Sequence, residues 1–271
     1  MSLEPMVIPN PLTEQHMQQL HDAKFILEHP SLAARVSDTL GTPIEKGIKL
    51  LPKSLKELVT NVTTKSLQTA MDAALYTLNK EAKPPAKMFH KLSVAATGAL
   101  GGAFGLPALA LELPVSTTIM LRSIAEIARA EGEQLDDLHS RMACLEVFAL
   151  GGTSKYDDAV ESGYFAIRAA LAKTISDATK HLAAFGAGNA SAPPLARMVA
   201  QLAARFSIPV SEKFILQATP VIGAAGGAAI NSVFIDHYQA MAQGHFTIRR
   251  LERIYGPQRV KEAYQHMRTL H

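Results

Sequence analysis

Apolar residues recur at intervals of three and four along most of the chain, the spacing of amphipathic helices. A clear stripe begins at Ser54 and continues to Leu78, with lysine and aspartate left on or near its polar side. Glycine and proline interrupt the pattern between such stretches, for example at Gly151-Gly152. No succession of segments alternates apolar and polar residues with a period of two. The pattern therefore predicts an all-α protein.

Prolines set several of the predicted boundaries, because proline lacks a backbone donor and fits the first turn of a helix. Pro114 is expected to precede a helix, and Pro220 to kink one. The predicted helices cover residues 13–28, 54–78, 115–130, 138–150, 164–184, 195–206, 212–240 and 247–255, with a last one from residue 260. We expect a single multi-helix domain over residues 56–271, preceded by a helical extension over residues 1–55.

Two long uncharged segments share a glycine-rich motif. Leu92–Leu111 contains GALGGA, and Phe214–Ile235 contains GAAGGA at an offset of 125 residues. A second pair of similar stretches, LRSIAEI and IRRLERI, follows in the same order. The repetition predicts two pseudo-repeated glycine-rich helical hairpins.

Glycines inside these helices would let another backbone approach closely, which offsets their cost of about 1 kcal/mol each in a helix interior. The predicted helix-packing residues are Gly98, Gly101, Gly102, Gly105, Gly223, Gly226 and Gly227. Either the glycine faces pack together in a protein core, or a segment associates with a bilayer. Both segments reach the ~20 residues that a membrane span requires, but Pro107 and Asn231 weaken them as spans. The core interpretation is favoured, and conditional or peripheral association stays open.

Composition excludes several function classes. The chain has 271 residues, 48% hydrophobic positions and a formal net charge of +3, unlike strongly basic nucleic-acid-binding proteins or charged disordered chains. Cys144 is the single cysteine and lies in an apolar window, which is typical of an inert buried thiol. The sequence contains neither a GxxxxGK[ST] phosphate loop nor a GxSxG nucleophile motif. We expect no cofactor and no nucleic-acid partner.

Polar residues inside the apolar helices are the candidates for chemistry. Arg122 and Glu126 share a helix face and could form a buried ion pair, or a solvated one. Glu112, Asp236, His237 and His245 could converge if the hairpins are pseudo-symmetric, and such a set could ligate a metal ion. No HExxH, paired ExxH or CxxC motif supports a metal site. These residues, with Glu146, Glu212 and Asn231, more readily satisfy backbone groups near the prolines.

The C-terminal region concentrates positive charge. From Gly244 onward the chain has six basic and two acidic residues. The predicted surface for anionic lipid headgroups or a membrane partner comprises Arg249, Arg250, Arg253, Arg259 and Lys261. A solvated helical face is the plainer alternative.

Five stretches in this order resemble the EcsC family of bacterial proteins: GALGGAFGLP, LRSIAEIARA, MACLEVFALGG, QATPVIGAAGGAAINSVF and GHFTIRRLERIYG. The resemblance covers roughly residues 60 to 260. It implies an α-helical protein, cytosolic or membrane-associated, with an accessory role beside an ABC transporter. It attaches no firm reaction to the chain.

The sequence as a whole favours a non-enzymatic accessory protein at the inner face of the cytoplasmic membrane. A cytoplasmic location is expected because the N-terminal residues lack the pattern of a secretory signal. The alternative is a metal-dependent hydrolase that uses the buried Glu, Asp and His residues.

Overall fold

The structure, a computed structural model, describes residues 11–28, 52–78, 106–151, 163–186, 192–218 and 223–267. These residues form eight helices and no strand, which confirms the all-α prediction. The helices are α1 (Glu14–Glu28), α2 (Lys53–Thr77), α3 (Leu106–Ala130), α4 (Leu138–Leu150), α5 (Tyr164–Phe185), α6 (Pro193–Ala218), α7 (Gly223–Tyr255) and α8 (Pro257–His266).

Helix α7 is the longest of the described helices and contacts five others. Its 33 residues span roughly 50 Å, and they pack against α1, α3, α4, α6 and α8. Helix α4 is the most enclosed element, since every residue from Ser140 to Leu150 is buried. Between α4, α6 and α7, four aromatic side chains pack with ring centroids 4.9 to 6.1 Å apart: Phe148, Phe206, Phe234 and Tyr238. The core therefore lies around α4 and the middle of α7.

The loop between α3 and α4 has a defined conformation. Gly132 ends α3 with a φ of 84°, a left-handed backbone that favours glycine. Asp137 then caps α4, since its side chain accepts a 2.9 Å hydrogen bond from the backbone of Ser140. This loop brings Glu131 and Glu133 to α7.

Three predicted helix breaks are wrong. Helix α3 begins at Leu106 and continues through Pro114, and α6 continues through Pro209 to Ala218. A proline removes one backbone hydrogen bond, and burial of the flanking Leu113 and Val210 outweighs that loss. Helix α7 is likewise continuous from 223 to 255, where the sequence predicted a break between residues 240 and 247. The predicted kink at Pro220 lies outside the described residues.

In the described ranges, no helix has the combined length and apolarity needed to cross a membrane. The second glycine-rich run forms the first turns of α7, with Gly223, Gly226 and Gly227 in helical conformation. The first run, with Gly98, Gly101, Gly102 and Gly105, lies outside the described residues. The paired hairpins and the domain boundary at residue 55 stay predictions. Helix α1, which belongs to the predicted N-terminal extension, packs against α7 and α8.

Candidate ligand-binding site

A cleft of about 620 Å³ lies between α5, α7 and α8, with α4 contributing to its wall. Its charged lining consists of two carboxyl and four cationic side chains: Glu146, Arg168, Lys180, Arg249, Glu252 and Lys261. A second cavity of about 740 Å³ shares Phe165, Ala169 and Lys261 with the cleft. Volumes of several hundred Å³ are typical of small-molecule sites.

Arg168 is held in the wall of the cleft by two elements. Its terminal nitrogens donate to both carboxylate oxygens of Glu252, at 2.7 and 3.1 Å, so that α5 is joined to α7. Its guanidinium also lies over the Tyr164 and Phe165 rings, 5.3 and 5.7 Å from their centroids. The side chain is therefore fixed before any ligand binds.

Arg249 is likewise oriented by a carboxylate, that of Glu133 in the loop between α3 and α4. Its Nε and one terminal nitrogen donate to Glu133 at 2.9 and 3.0 Å. Burial alone would raise the pKa of Glu133, but Arg249, with smaller contributions from Ser140 and Arg253, lowers it to about 2. Glu133 is thus a permanent anion at neutral pH, and it holds Arg249 as its counterion.

Glu146 lies where α4 reaches the cleft, and only 8% of its side chain is exposed. Burial raises the pKa of Glu146 to about 7, because the attraction of Arg168 and Arg249 does not offset the loss of water. Its Oε2 is 4.0 Å from Nε2 of His245, which is too long for a hydrogen bond.

His245 is a fully buried, neutral imidazole close to Glu146. Its Nδ1 is 2.9 Å from the hydroxyl of Tyr164. Burial, followed by repulsion from Arg168 and Arg249, lowers the pKa of His245 well below its usual value. The cleft therefore combines fixed guanidinium groups, which suit carboxylate or phosphate, with a carboxyl group that exchanges its proton near neutral pH.

A comparison with known protein families shows to which family the chain belongs. The model of the EcsC protein family matches residues 13–251. The chain belongs to the EcsC protein family. No curated protein and no solved structure is significantly similar to it. The match extends further toward the N-terminus than the resemblance drawn from the sequence, and it includes α1 of this EcsC protein.

Glu112, His237 and His245, which the sequence suggested could converge with Asp236 if the hairpins are pseudo-symmetric, contact different partners. Glu112 contacts Lys213 and Asn231, His237 contacts the carbonyl of Gly151, and His245 contacts Tyr164. Helix α7 separates His237 from His245 by about 12 Å along its axis, at 1.5 Å per residue. Over the part of the chain that is described, no group of three or more His, Cys, Asp or Glu side chains could hold a metal ion.

The predicted burial of the Arg122–Glu126 pair is also wrong, since Arg122 is exposed and Glu126 only partly buried. The reason is the direction in which each position of α3 faces around the helix axis. Leu121, Ile124 and Ala128 occupy its core-facing stripe, which turns position 122 outward.

The predicted basic surface is largely engaged within the protein. Arg249 and Arg253 pair with Glu133, and Arg250 donates to Glu131 at 2.7 Å. Arg259 is partly buried, and Lys261 is exposed at the cleft. Headgroup contact stays a prediction, but three of its five cations already have carboxylate partners.

Sequence reasoning missed Arg168, Tyr164 and Lys213, and it assigned Glu146 to backbone support. A signal for Glu146 was present, because a single carboxyl group interrupts the apolar window MACLEVFAL. Arg168 gave no comparable signal, since its partner Glu252 lies 84 residues away.

Proposed function

We propose that this EcsC protein is a non-enzymatic accessory protein that binds a small anionic molecule in the cleft between α5, α7 and α8. The observation that carries the proposal is the convergence of four cationic side chains on one cavity of about 620 Å³. Guanidinium and ammonium groups bind carboxylates and phosphates through charge-assisted hydrogen bonds.

The two arginines support this function because their partners leave donors available. Arg168 uses its terminal nitrogens for Glu252, and Arg249 uses Nε and Nη2 for Glu133. Within the described residues, Nε of Arg168 and Nη1 of Arg249 make no hydrogen bond. A ligand can therefore bind to guanidinium groups that are already oriented, which lowers the entropic cost of binding.

The two lysines provide mobile positive charge at the same cavity. Lys180 and Lys261 are exposed, and neither forms an ion pair with another described residue. An ammonium on a flexible side chain can adjust to ligands of different size. The site thus combines rigid and adaptable cations.

Replacing Lys180 and Lys261 together by glutamate is expected to weaken binding of ethyl phosphate by about tenfold or more, because two attractions become repulsions. Isothermal titration calorimetry measures the dissociation constant. The Lys56→Glu/Lys65→Glu double variant on α2 is the matched control, since it changes the net charge equally away from the cleft. Absence of binding to the unmodified protein, or an equal loss in both double variants, would contradict the proposal.

A specific observation favours membrane contact as a second function. Leu111 and Val115 lie one turn apart near the start of α3 and are 78% and 50% exposed. Leu111 also ends the uncharged segment from Leu92. The proposal is that this apolar patch, with the paired glycine-rich runs, contacts the inner membrane peripherally near a transporter.

The Leu111→Glu/Val115→Glu variant is expected to lose co-sedimentation with vesicles of phosphatidylglycerol and phosphatidylethanolamine, because charge in an apolar contact opposes insertion. Phe185→Glu is the matched control, since Phe185 is 77% exposed at the end of another helix. If the unmodified protein stays in the supernatant, or if all three proteins sediment alike, membrane contact through α3 is wrong.

A further inference from the structure

Glu146 differs from the other carboxylates around the cleft. Glu133 accepts from Ser140 and Arg249, and Glu252 accepts both bonds from Arg168. Glu146 accepts no hydrogen bond from any described residue, and its closest basic group, Nε2 of His245, is 4.0 Å away. A carboxyl group that is more than nine-tenths buried therefore lines a cavity without a hydrogen-bond donor from the described part of the chain.

Such an arrangement is unfavourable for the folded protein. A buried carboxylate without a hydrogen-bond donor loses its hydration, and the attraction of Arg168 and Arg249 offsets only part of that loss. The charged groups around it come from several elements: Arg168 from α5, and Arg249 and Glu252 from α7. Arg168 donates to Glu252 and Arg249 donates to Glu133, and neither arginine donates a hydrogen bond to Glu146. A ligand of the cleft that carries a donor can satisfy Glu146.

We propose that the ligand of the cleft carries a hydroxyl or ammonium group next to its phosphate or carboxylate, and that the carboxyl group of Glu146 receives this donor. The proposal rests on the function proposed above, in which the cations of the cleft hold the anionic end. Cations and an unpartnered carboxyl group in one cavity match a ligand with both an acceptor and a donor. Glu146 then determines specificity within the class of small anions.

Three probes of similar size separate this proposal from simple anion binding. Ethyl phosphate lacks the donor, 2-hydroxyethyl phosphate carries a hydroxyl group, and O-phosphoethanolamine carries an ammonium group. At pH 8, calorimetry is expected to show that both donor-bearing probes bind about tenfold more tightly than ethyl phosphate, which corresponds to one charge-assisted hydrogen bond. In the Glu146→Met variant, the preference is expected to vanish, and ethyl phosphate is expected to bind at least as tightly as before, because a negative charge has been removed from the cleft.

The pH dependence gives a second readout. The ratio of affinities for O-phosphoethanolamine and ethyl phosphate is expected to rise as the pH increases through about 7, where Glu146 loses its proton. The ammonium group lowers the second phosphate pKa of O-phosphoethanolamine below that of ethyl phosphate, so the ratio also contains the titration of the ligands themselves. The Glu146→Gln variant measures this ligand contribution, and the expected result is a further rise in the unmodified protein that Glu146→Gln lacks.

Thermal unfolding distinguishes recognition from a structural role. If Glu146 only stabilised the fold, Glu146→Met would lower the melting temperature; we expect it unchanged or higher, because an unpartnered buried carboxyl group is removed. Equal binding of all three probes would overturn the role of Glu146 and leave the anion site standing. Binding of none would overturn the anion site itself.

Discussion

The Lys213→Met variant is expected to unfold with a free energy about 3–5 kcal/mol lower than that of the unmodified protein. Nζ of Lys213 lies 2.6 Å from Oε1 of Glu112, and the two side chains are 0% and 3% exposed. Asn231 donates to the same oxygen at 2.8 Å. Burial lowers the pKa of Lys213, and the attraction of Glu112 opposes this shift. Methionine fills similar space but leaves the Glu112 carboxylate in the core without its cation.

Urea unfolding monitored by circular dichroism measures this loss. The Glu112→Leu/Lys213→Met double variant is expected to recover most of it, since an ion pair replaced by apolar side chains of similar volume is often tolerated. Lys173→Met is the control for loss of a lysine, because Lys173 is exposed on α5. A loss below about 1 kcal/mol for Lys213→Met would show that the pair is not a buried ion pair in solution.

The second large effect is expected at the loop between α3 and α4. Glu133→Gln should lower the free energy of unfolding by about 3 kcal/mol at pH 7, because it removes the anion that balances Arg249. It also weakens the bond from Ser140 at the start of α4. Asp136→Asn is the matched control in the same loop, since Asp136 is exposed.

The acid dependence tests the same contact independently. The pKa of Glu133 is lowered from 4.5 to about 2 in the folded protein, so its contribution is fully present above 4.5 and is lost as the pH falls toward 2. The stability difference between the unmodified protein and Glu133→Gln should therefore shrink below pH 4.5. A difference that stays constant from pH 7 to pH 3 would contradict the charge pairing.

Local structure was the part of the fold that the sequence predicted best. Helix α4 has the predicted bounds, Leu138–Leu150, because glycines follow it and a loop precedes it. Around Pro114 and Pro209 prediction failed, because the cost of a proline in a helix is known from sequence but the compensating burial is not. Burial depends on which helices meet, and spacing along the chain does not give that information.

The same lack of information about which helices meet explains why the cleft was not predicted from the sequence. Arg249 was correctly noticed as part of a basic region, but its partner Glu133 lies 116 residues away. Sequence spacing identifies neighbours on one helix face, so it could suggest Arg122 with Glu126 but not Arg168 with Glu252. The unpartnered state of Glu146 is harder still to predict, because it requires the positions of all surrounding donors.

Helix α1 is held by residues that lie about 240 positions later in the chain. Nδ1 of His16 lies 2.7 Å from the hydroxyl of Tyr255, and Nζ of Lys24 donates to the backbone carbonyls of Tyr264 and Met267 at the end of α8. Translation at about 5–20 residues per second puts roughly 10 to 50 seconds between these partners. During that interval α1 lacks its contacts with α7 and α8, which contribute to the apolar core that encloses Leu20 in the folded protein. Helix α1 can therefore complete its native packing only after α7 and α8 have been synthesised, and until then the nascent chain exposes the apolar face of α1.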